Sequence, residues 1–185
     1  LHAESHDFFS AFIEKGQLTP IQKTTIMYEV AEGMAYLHSM KMIHRDLKSK
    51  NILLDANYEP KIVDFGFARP ISYTMSVCVG TPIYMAPEVI QSSYYDYKAD
   101  VFSFALMISE MITGFKPFTQ FCSDPLTIQQ SILDGIRPVF DDELGVSQDM
   151  KDLLENMWAA DYKDRPDFVT VLDTMREKKI AFPGA

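Results

Sequence analysis

Apolar positions along the chain fall into two kinds of run. Some recur every three or four residues, the period of one helix face, and others stand three together. Phe8, Phe9, Phe12 and Ile13 keep helical spacing and predict a short amphipathic helix ending near Gly16. Thr19-Pro20-Ile21-Gln22 opens a second: Thr19 caps it, Pro20 takes its first position and Gln22 completes a capping box. Ile26, Met27, Val30, Ala31, Met34 and Leu37 make one stripe along that helix, which reads as core packing and carries no chemistry. Ile52-Leu53-Leu54 and Lys61-Ile62-Val63 predict paired strands joined by a turn over Asp55 to Pro60. From Tyr97 to Thr113 the sequence is apolar on nearly every side, which places that helix inside the core, with Gly114 as its stop. Three more helices follow. One runs from Asp124-Pro125 to Gly135, one from the cap Ser147 to Trp158, and one from the cap Asp167 through Val171, Leu172 and Met175.

Residues 69–79 lack periodicity. They hold Ser72, Tyr73, Thr74 and Ser76 behind the breaker Pro70, the pattern of a polar loop. Between the second helix and the first strand the pattern also breaks, into Ile43-His44-Arg45-Asp46-Leu47-Lys48-Ser49-Lys50-Asn51. Loops set on rigid elements are where chemistry concentrates. Asp46 can accept a proton, Lys48 can neutralise a phosphoryl oxygen, and Asn51 can offer an amide oxygen to a hard cation such as Mg²⁺. The second strand ends in Asp64-Phe65-Gly66, so two short strands each deliver a metal-capable oxygen. That suits a metal–nucleotide site. A hairpin with a polar entry loop and one solvated Asp would account for either cluster alone.

Composition narrows the choice. The 185 residues suffice for one domain with a sizeable core, and 47% of them are apolar. No apolar run is long enough to span a bilayer, and the N-terminus lacks the basic flank of a secretory signal. The formal net charge of −9 argues against nucleic-acid binding. Cys78 and Cys122 are too few for a disulfide framework or a zinc cluster and read as reduced thiols of a cytoplasmic protein. A start at Leu1 suggests a piece of something longer.

The two clusters resemble the catalytic loop and the metal-binding Asp-Phe-Gly of eukaryotic protein kinases. Gly80-Thr81-Pro82-Ile83-Tyr84-Met85-Ala86-Pro87-Glu88 ends in the family's Ala-Pro-Glu, and Asp100-Val101-Phe102-Ser103-Phe104-Ala105 and Asp161-Tyr162-Lys163-Asp164-Arg165-Pro166 match later blocks. The resemblance implies that Asp46 orients an acceptor hydroxyl and takes its proton. It assigns Lys48 to the γ-phosphate of ATP, Asn51 and Asp64 to two Mg²⁺ ions, and Leu53 to the floor beneath the adenine. His44 and Phe65 would pack as a buried spine. Asp100 would hold the backbone of the catalytic loop, and Arg165 would pair with Glu88 to pin the activation segment. Arg45 would dock a phosphate placed by an upstream kinase on Ser72, Thr74 or Ser76.

Lys48 with Thr81 implies a protein substrate with a Ser or Thr acceptor, because in such kinases the Thr hydroxyl bonds both Asp and Lys. Trp158, Asp161, Arg165-Pro166 and Phe168 look like the tyrosine-kinase-like branch, which leaves dual specificity open. Phe102 and Ala105 replace the family's common Trp and Gly. No Gly-x-Gly-x-x-Gly and no Val-Ala-x-Lys strand occurs. The implied fold is therefore mostly α with a short β-hairpin: a kinase-like large lobe over 1–180, a tail over 181–185, and the small β-rich lobe absent. Two rivals remain, a pseudokinase-type scaffold or binding module and a metal-dependent phosphohydrolase. The joint presence of Asp46, Lys48, Asn51 and Asp64 disfavours the first. Lys48 two places after Asp46 disfavours the second.

Overall fold

The computed structural model describes residues 7–70, 80–91, 96–119 and 123–185. Helices α1 (Phe9–Glu14), α2 (Pro20–Ser39), α3 (Pro87–Ile90), α4 (Lys98–Thr113), α5 (Pro125–Leu133), α6 (Gln148–Met157) and α7 (Phe168–Glu177) carry most of the fold. Two small antiparallel sheets join them. One has the order β1 (Asp7–Phe8), β3 (Ile52–Leu54), β4 (Pro60–Ile62), and the other pairs β2 (Met42–Ile43) with β5 (Arg69–Pro70). None of the described helices is long and apolar enough to cross a membrane.

The capping signals operate as the sequence implies. The Gln22 amide donates to Thr19 Oγ1 at 3.2 Å, and the Thr19 amide donates back to Gln22 Oε1 at 2.9 Å. Asp124, Ser147 and Asp167 each accept the amide three residues on. In α4 every residue from Ala99 to Met111 except Ser103 is buried, as an all-round apolar helix requires. This helix is the axis of the core. Above it lies the loop between β2 and β3, and Ser103 Oγ donates to the Tyr84 carbonyl at 2.8 Å, tying the 82–84 turn to its flank.

Some boundaries differ from expectation. Phe8 belongs to a strand and not to the first helix: β1 covers the otherwise open edge of β3, with Phe8 opposite Leu53. Strand β4 runs one residue earlier than its apolar run, pairing Ile52 with Ile62 and Leu54 with Pro60. Val63 lies beyond the strand yet still donates to the Asn51 carbonyl at 2.9 Å. Residues 181–185 are docked: Phe182 is buried, its amide donates to Thr24 Oγ1 at 2.9 Å, and the Lys23 ammonium lies over its ring.

Candidate active site

The loop from His44 to Asn51 is held from below. Asp100, at the start of α4, is 1% exposed, and its carboxylate accepts the His44 and Arg45 amides at 2.9 Å each. His38 of α2 adds a third bond, Nε2 to Asp100 Oδ2 at 2.9 Å. The expected structural role of Asp100 is thus present. His38 is an addition that sequence reading missed, although a buried carboxylate in an apolar helix start demands several donors. Arg45 sits at φ +71°, a left-handed conformation that side chains adopt at a cost. Its Nε donates to the Phe67 carbonyl at 2.6 Å.

His44 is fully buried and joins the loop to the strand leading to Asp64. Its Nε2 lies 3.1 Å from the Val63 carbonyl, which can only accept, so Nε2 carries the proton. Nδ1 then accepts the Asp46 amide at 3.3 Å. The His44 and Phe65 rings lie 5.2 Å apart, but Phe65 is 49% exposed, so the expected spine is covered on one side only.

Asp46 is 6% exposed and takes donors on both oxygens. Oδ1 accepts the Thr81 amide at 2.8 Å and the Thr81 hydroxyl at 2.7 Å. Oδ2 accepts Lys48 Nζ at 2.6 Å and Asn51 Nδ2 at 3.1 Å. Lys48 Nζ also donates to Thr81 Oγ1 at 2.6 Å. Thr81 therefore bonds both Asp and Lys, which is the arrangement expected of it. Gly80 makes this approach feasible. Its φ is +124°, and a Cβ there would lie 2.7 Å from the Arg45 carbonyl oxygen.

Asn51 Nδ2 also donates to the Asp46 carbonyl at 2.7 Å. Both of its partners can only accept, which fixes the amide orientation. Its Oδ1 makes no hydrogen bond among the described residues. Asp64 is exposed at φ +63°. Lys48, Asn51, Leu53 and Asp64 line one open cleft of about 630 Å³, together with Ser10, Lys50 and Val63. Among the described residues no three His, Cys, Asp or Glu side chains converge as a metal cage. One carboxylate and one amide oxygen suit Mg²⁺, which keeps waters and takes its remaining ligands from phosphates. The donor set fits Mg–ATP.

Two further features stabilise the surroundings. Arg165 is buried and its guanidinium faces Glu88 in a two-pronged pair, Nη1–Oε1 2.7 Å and Nη2–Oε2 2.9 Å. Sequence reading anticipated this pair. It missed Glu110, a buried carboxylate on α4 that accepts the Tyr84 hydroxyl at 2.5 Å. Burial raises the Glu110 carboxyl above its usual range and, with the Glu110 charge beside it, pushes the Tyr84 phenol well up. The signal was available: a lone Glu inside an apolar helix needs a donor. Ser72, Thr74, Ser76, Cys78 and Cys122 lie outside the described residues.

The loop thus brings the buried Asp46 and Asn51 and the half-buried Lys48 close to the exposed Asp64, an arrangement of the kind that suits phosphoryl groups. The protein kinase domain matches residues 2–175. The chain belongs to the protein kinase family. It is 37% identical over 182 residues to the serine/threonine-protein kinase VIK of Arabidopsis thaliana, covering 92% of this chain and 41% of that protein. It is also 37% identical to the serine/threonine-protein kinase STY46 of the same plant, over 82% of this chain and 26% of that protein. Similarity to the dual specificity protein kinase pyk3 of Dictyostelium discoideum is 36%, over 91% of this chain and 13% of that protein. The chain thus spans well under half the length of these relatives.

Proposed function

We propose that the chain is the large lobe of an ATP-dependent protein serine/threonine kinase whose small β-rich lobe lies outside these 185 residues. The observation that carries this reading is the closed set Lys48–Thr81–Asp46, three side chains from two segments bonded at 2.6–2.7 Å. It draws Asp46 and the Thr81 segment together and leaves shallow room for an acceptor, which favours an aliphatic hydroxyl over a phenol. VIK and STY46, both serine/threonine-protein kinases, agree with this choice, and the dual specificity kinase pyk3 keeps dual specificity in view.

In this reading Asn51 and Asp64 would hold two Mg²⁺ ions and Leu53 would form the floor beneath the adenine. When bound, Mg–ATP supplies the phosphoryl group and the cations offset its charge. Lys48, whose ammonium now bonds Asp46 and Thr81, would pair with the γ-phosphate when ATP is bound. Asp46 Oδ2 would then be open to the acceptor hydroxyl, which Asp46 would orient and from which it would take the proton. Thr81 keeps Asp46 in place from its other oxygen. Arg45 would dock the phosphate carried by Ser72, Thr74 or Ser76 once an upstream kinase has modified the segment. The 185 residues alone are expected to transfer little phosphate, because their sequence holds no Gly-x-Gly-x-x-Gly and no Val-Ala-x-Lys strand.

Magnesium-dependent ATP binding to the polypeptide that carries both lobes tests the metal assignment. Asp64→Asn is expected to weaken binding markedly and Asp46→Asn to leave it unchanged. Equal losses in the two variants would overturn the division of roles.

A further inference from the structure

We propose that Glu110 and Tyr84 are positioning residues for phosphoryl transfer, holding Thr81 where its bonds to Asp46 and Lys48 require it. The inference rests on the kinase reading and adds to it two buried residues that lie beneath the acceptor site.

Glu110 stands near the C-terminal end of α4, inside the core. Its Oε2 accepts the Tyr84 hydroxyl at 2.5 Å, whereas its Oε1 is buried with no hydrogen-bond partner among the described residues. Lys116, whose charge acts on Glu110, pairs with Glu14 at 3.4 Å. A buried carboxyl satisfied on one side only costs stability. Replacing such a pair by apolar groups of the same shape is commonly neutral or stabilising. Stability therefore does not account for Glu110. Departures of this kind from local packing rules concentrate at functional sites.

The connections of Tyr84 indicate what it does instead. Tyr84 is tied to α4 at both ends, its hydroxyl by Glu110 and its carbonyl by Ser103 Oγ at 2.8 Å. Its amide donates to the Thr81 carbonyl at 2.9 Å and closes the 82–84 turn, so Thr81 is one hydrogen bond away from a residue anchored twice. Ser49 Oγ, on the catalytic loop, lies 3.5 Å from the same hydroxyl. At the opposite end of α4, Asp100 holds the His44 and Arg45 amides. One helix thus fixes both sides of the acceptor site: the loop through Asp100, and the Thr81 segment through Ser103 and Glu110. Misplacing a reacting group by about 1 Å can cost 10²-fold in rate, so slack in Tyr84 is expected to appear in kcat.

Steady-state kinetics and amide hydrogen exchange of the two-lobed polypeptide test this. Tyr84→Phe keeps the ring and removes the hydroxyl; kcat is expected to fall about tenfold with KM for ATP unchanged. Glu110→Met is expected to match it, whereas Glu110→Gln, which keeps an oxygen for the hydroxyl, stays within about threefold of the parent. Because Tyr84 acts through Thr81, the double variant Thr81→Ala/Tyr84→Phe should lose less than the product of the two single losses. The Thr81 amide, bonded to Asp46 Oδ1 at 2.8 Å, is expected to exchange about tenfold faster in Tyr84→Phe. Thermal midpoints establish folding. If Tyr84→Phe fails to fold, Ser103→Ala, at a half-buried position, frees the Tyr84 carbonyl and carries the same predictions. Unchanged kcat or unchanged Thr81 exchange in the folded variants, multiplying losses in the double variant, or a Glu110→Gln as slow as Glu110→Met would overturn the inference. A parent polypeptide that transfers no phosphate, with Thr81 exchange still quickened in Tyr84→Phe, would overturn the kinase reading and leave only the anchoring of Thr81.

Discussion

Removing the Arg165 guanidinium tests how the segment carrying Thr81 is anchored. All five of its N–H groups are engaged: two by Glu88, and one each by the carbonyls of Ala159, Lys98 and Ala160. Its plane also lies over Phe102, 4.9 Å from the ring centre, with Arg137 over the same ring at 5.0 Å. Arg165→Leu keeps an apolar stem against Phe102 but leaves the Glu88 carboxylate, 7% exposed, without its counter-charge. A buried charge stranded in this way costs about 3–5 kcal/mol. With an unfolding entropy of about 2.1 cal/mol/K per residue, that lowers the thermal midpoint by roughly 8–13 °C. Glu88→Leu strands the guanidinium and is expected to cost a similar amount. The double variant strands neither, so its loss should fall short of the sum of the single losses by about 2 kcal/mol or more. Denaturant titration of the four proteins measures this directly. Additivity within about 0.5 kcal/mol would refute the reasoning, because it would mean that the two charges do not depend on each other.

Gly80→Ala is expected to cost about 1–3 kcal/mol of stability from its backbone angle alone, and to slow phosphotransfer by about a hundredfold because its Cβ pushes Thr81 from Asp46. Gly135→Ala is the control. It too has positive φ, but nothing lies within 4 Å of its built Cβ, so stability falls by about 1–2 kcal/mol and the reaction rate holds. Equal effects on rate would contradict the geometry. Glu110→Gln tests the buried carboxyl. Because burial raises its folded-state value above the ordinary 4.5, the folded protein binds the extra proton, and the stability gained by doing so is present below pH 4.5 and lost as pH rises through the folded value. The variant keeps an acceptor for the Tyr84 hydroxyl and carries no charge, so its stability should fall less than that of the parent as pH rises above 4.5. Parallel pH profiles would refute this.

The helices were legible because their signals are local. Thr19, Asp124, Ser147 and Asp167 cap from within their own turns, and the apolar surround of α4 required burial whatever packed against it. Asp100 and Arg165 were placed by the family resemblance together with their partners, the catalytic-loop backbone and Glu88, and the structure shows those bonds. What stayed hidden depends on contacts distant in sequence. Strand β1 is two residues long and exists because β3 has an open edge. Pro70 opposite Met42 reads as a breaker, yet it tolerates a two-residue edge pairing. Glu110 meets Tyr84 across 26 positions, and His38 meets Asp100 across 62. Arg137 has no motif at all: it donates to the carbonyls of Trp158, Ile132 and Ile136, and burial lowers its guanidinium to about 10.

The central claim is that Asp46 orients the hydroxyl that receives the phosphoryl group. The most direct test is transfer of a labelled γ-phosphate to a peptide library by the two-lobed polypeptide, followed by phosphoamino-acid analysis, with the parent and Asp46→Asn side by side. The account predicts phosphoserine and phosphothreonine from the parent, and a rate lowered by about 10²–10⁴-fold in the variant at unchanged ATP affinity. Phosphotyrosine as the main product, or transfer by Asp46→Asn at the parent's rate, would contradict it.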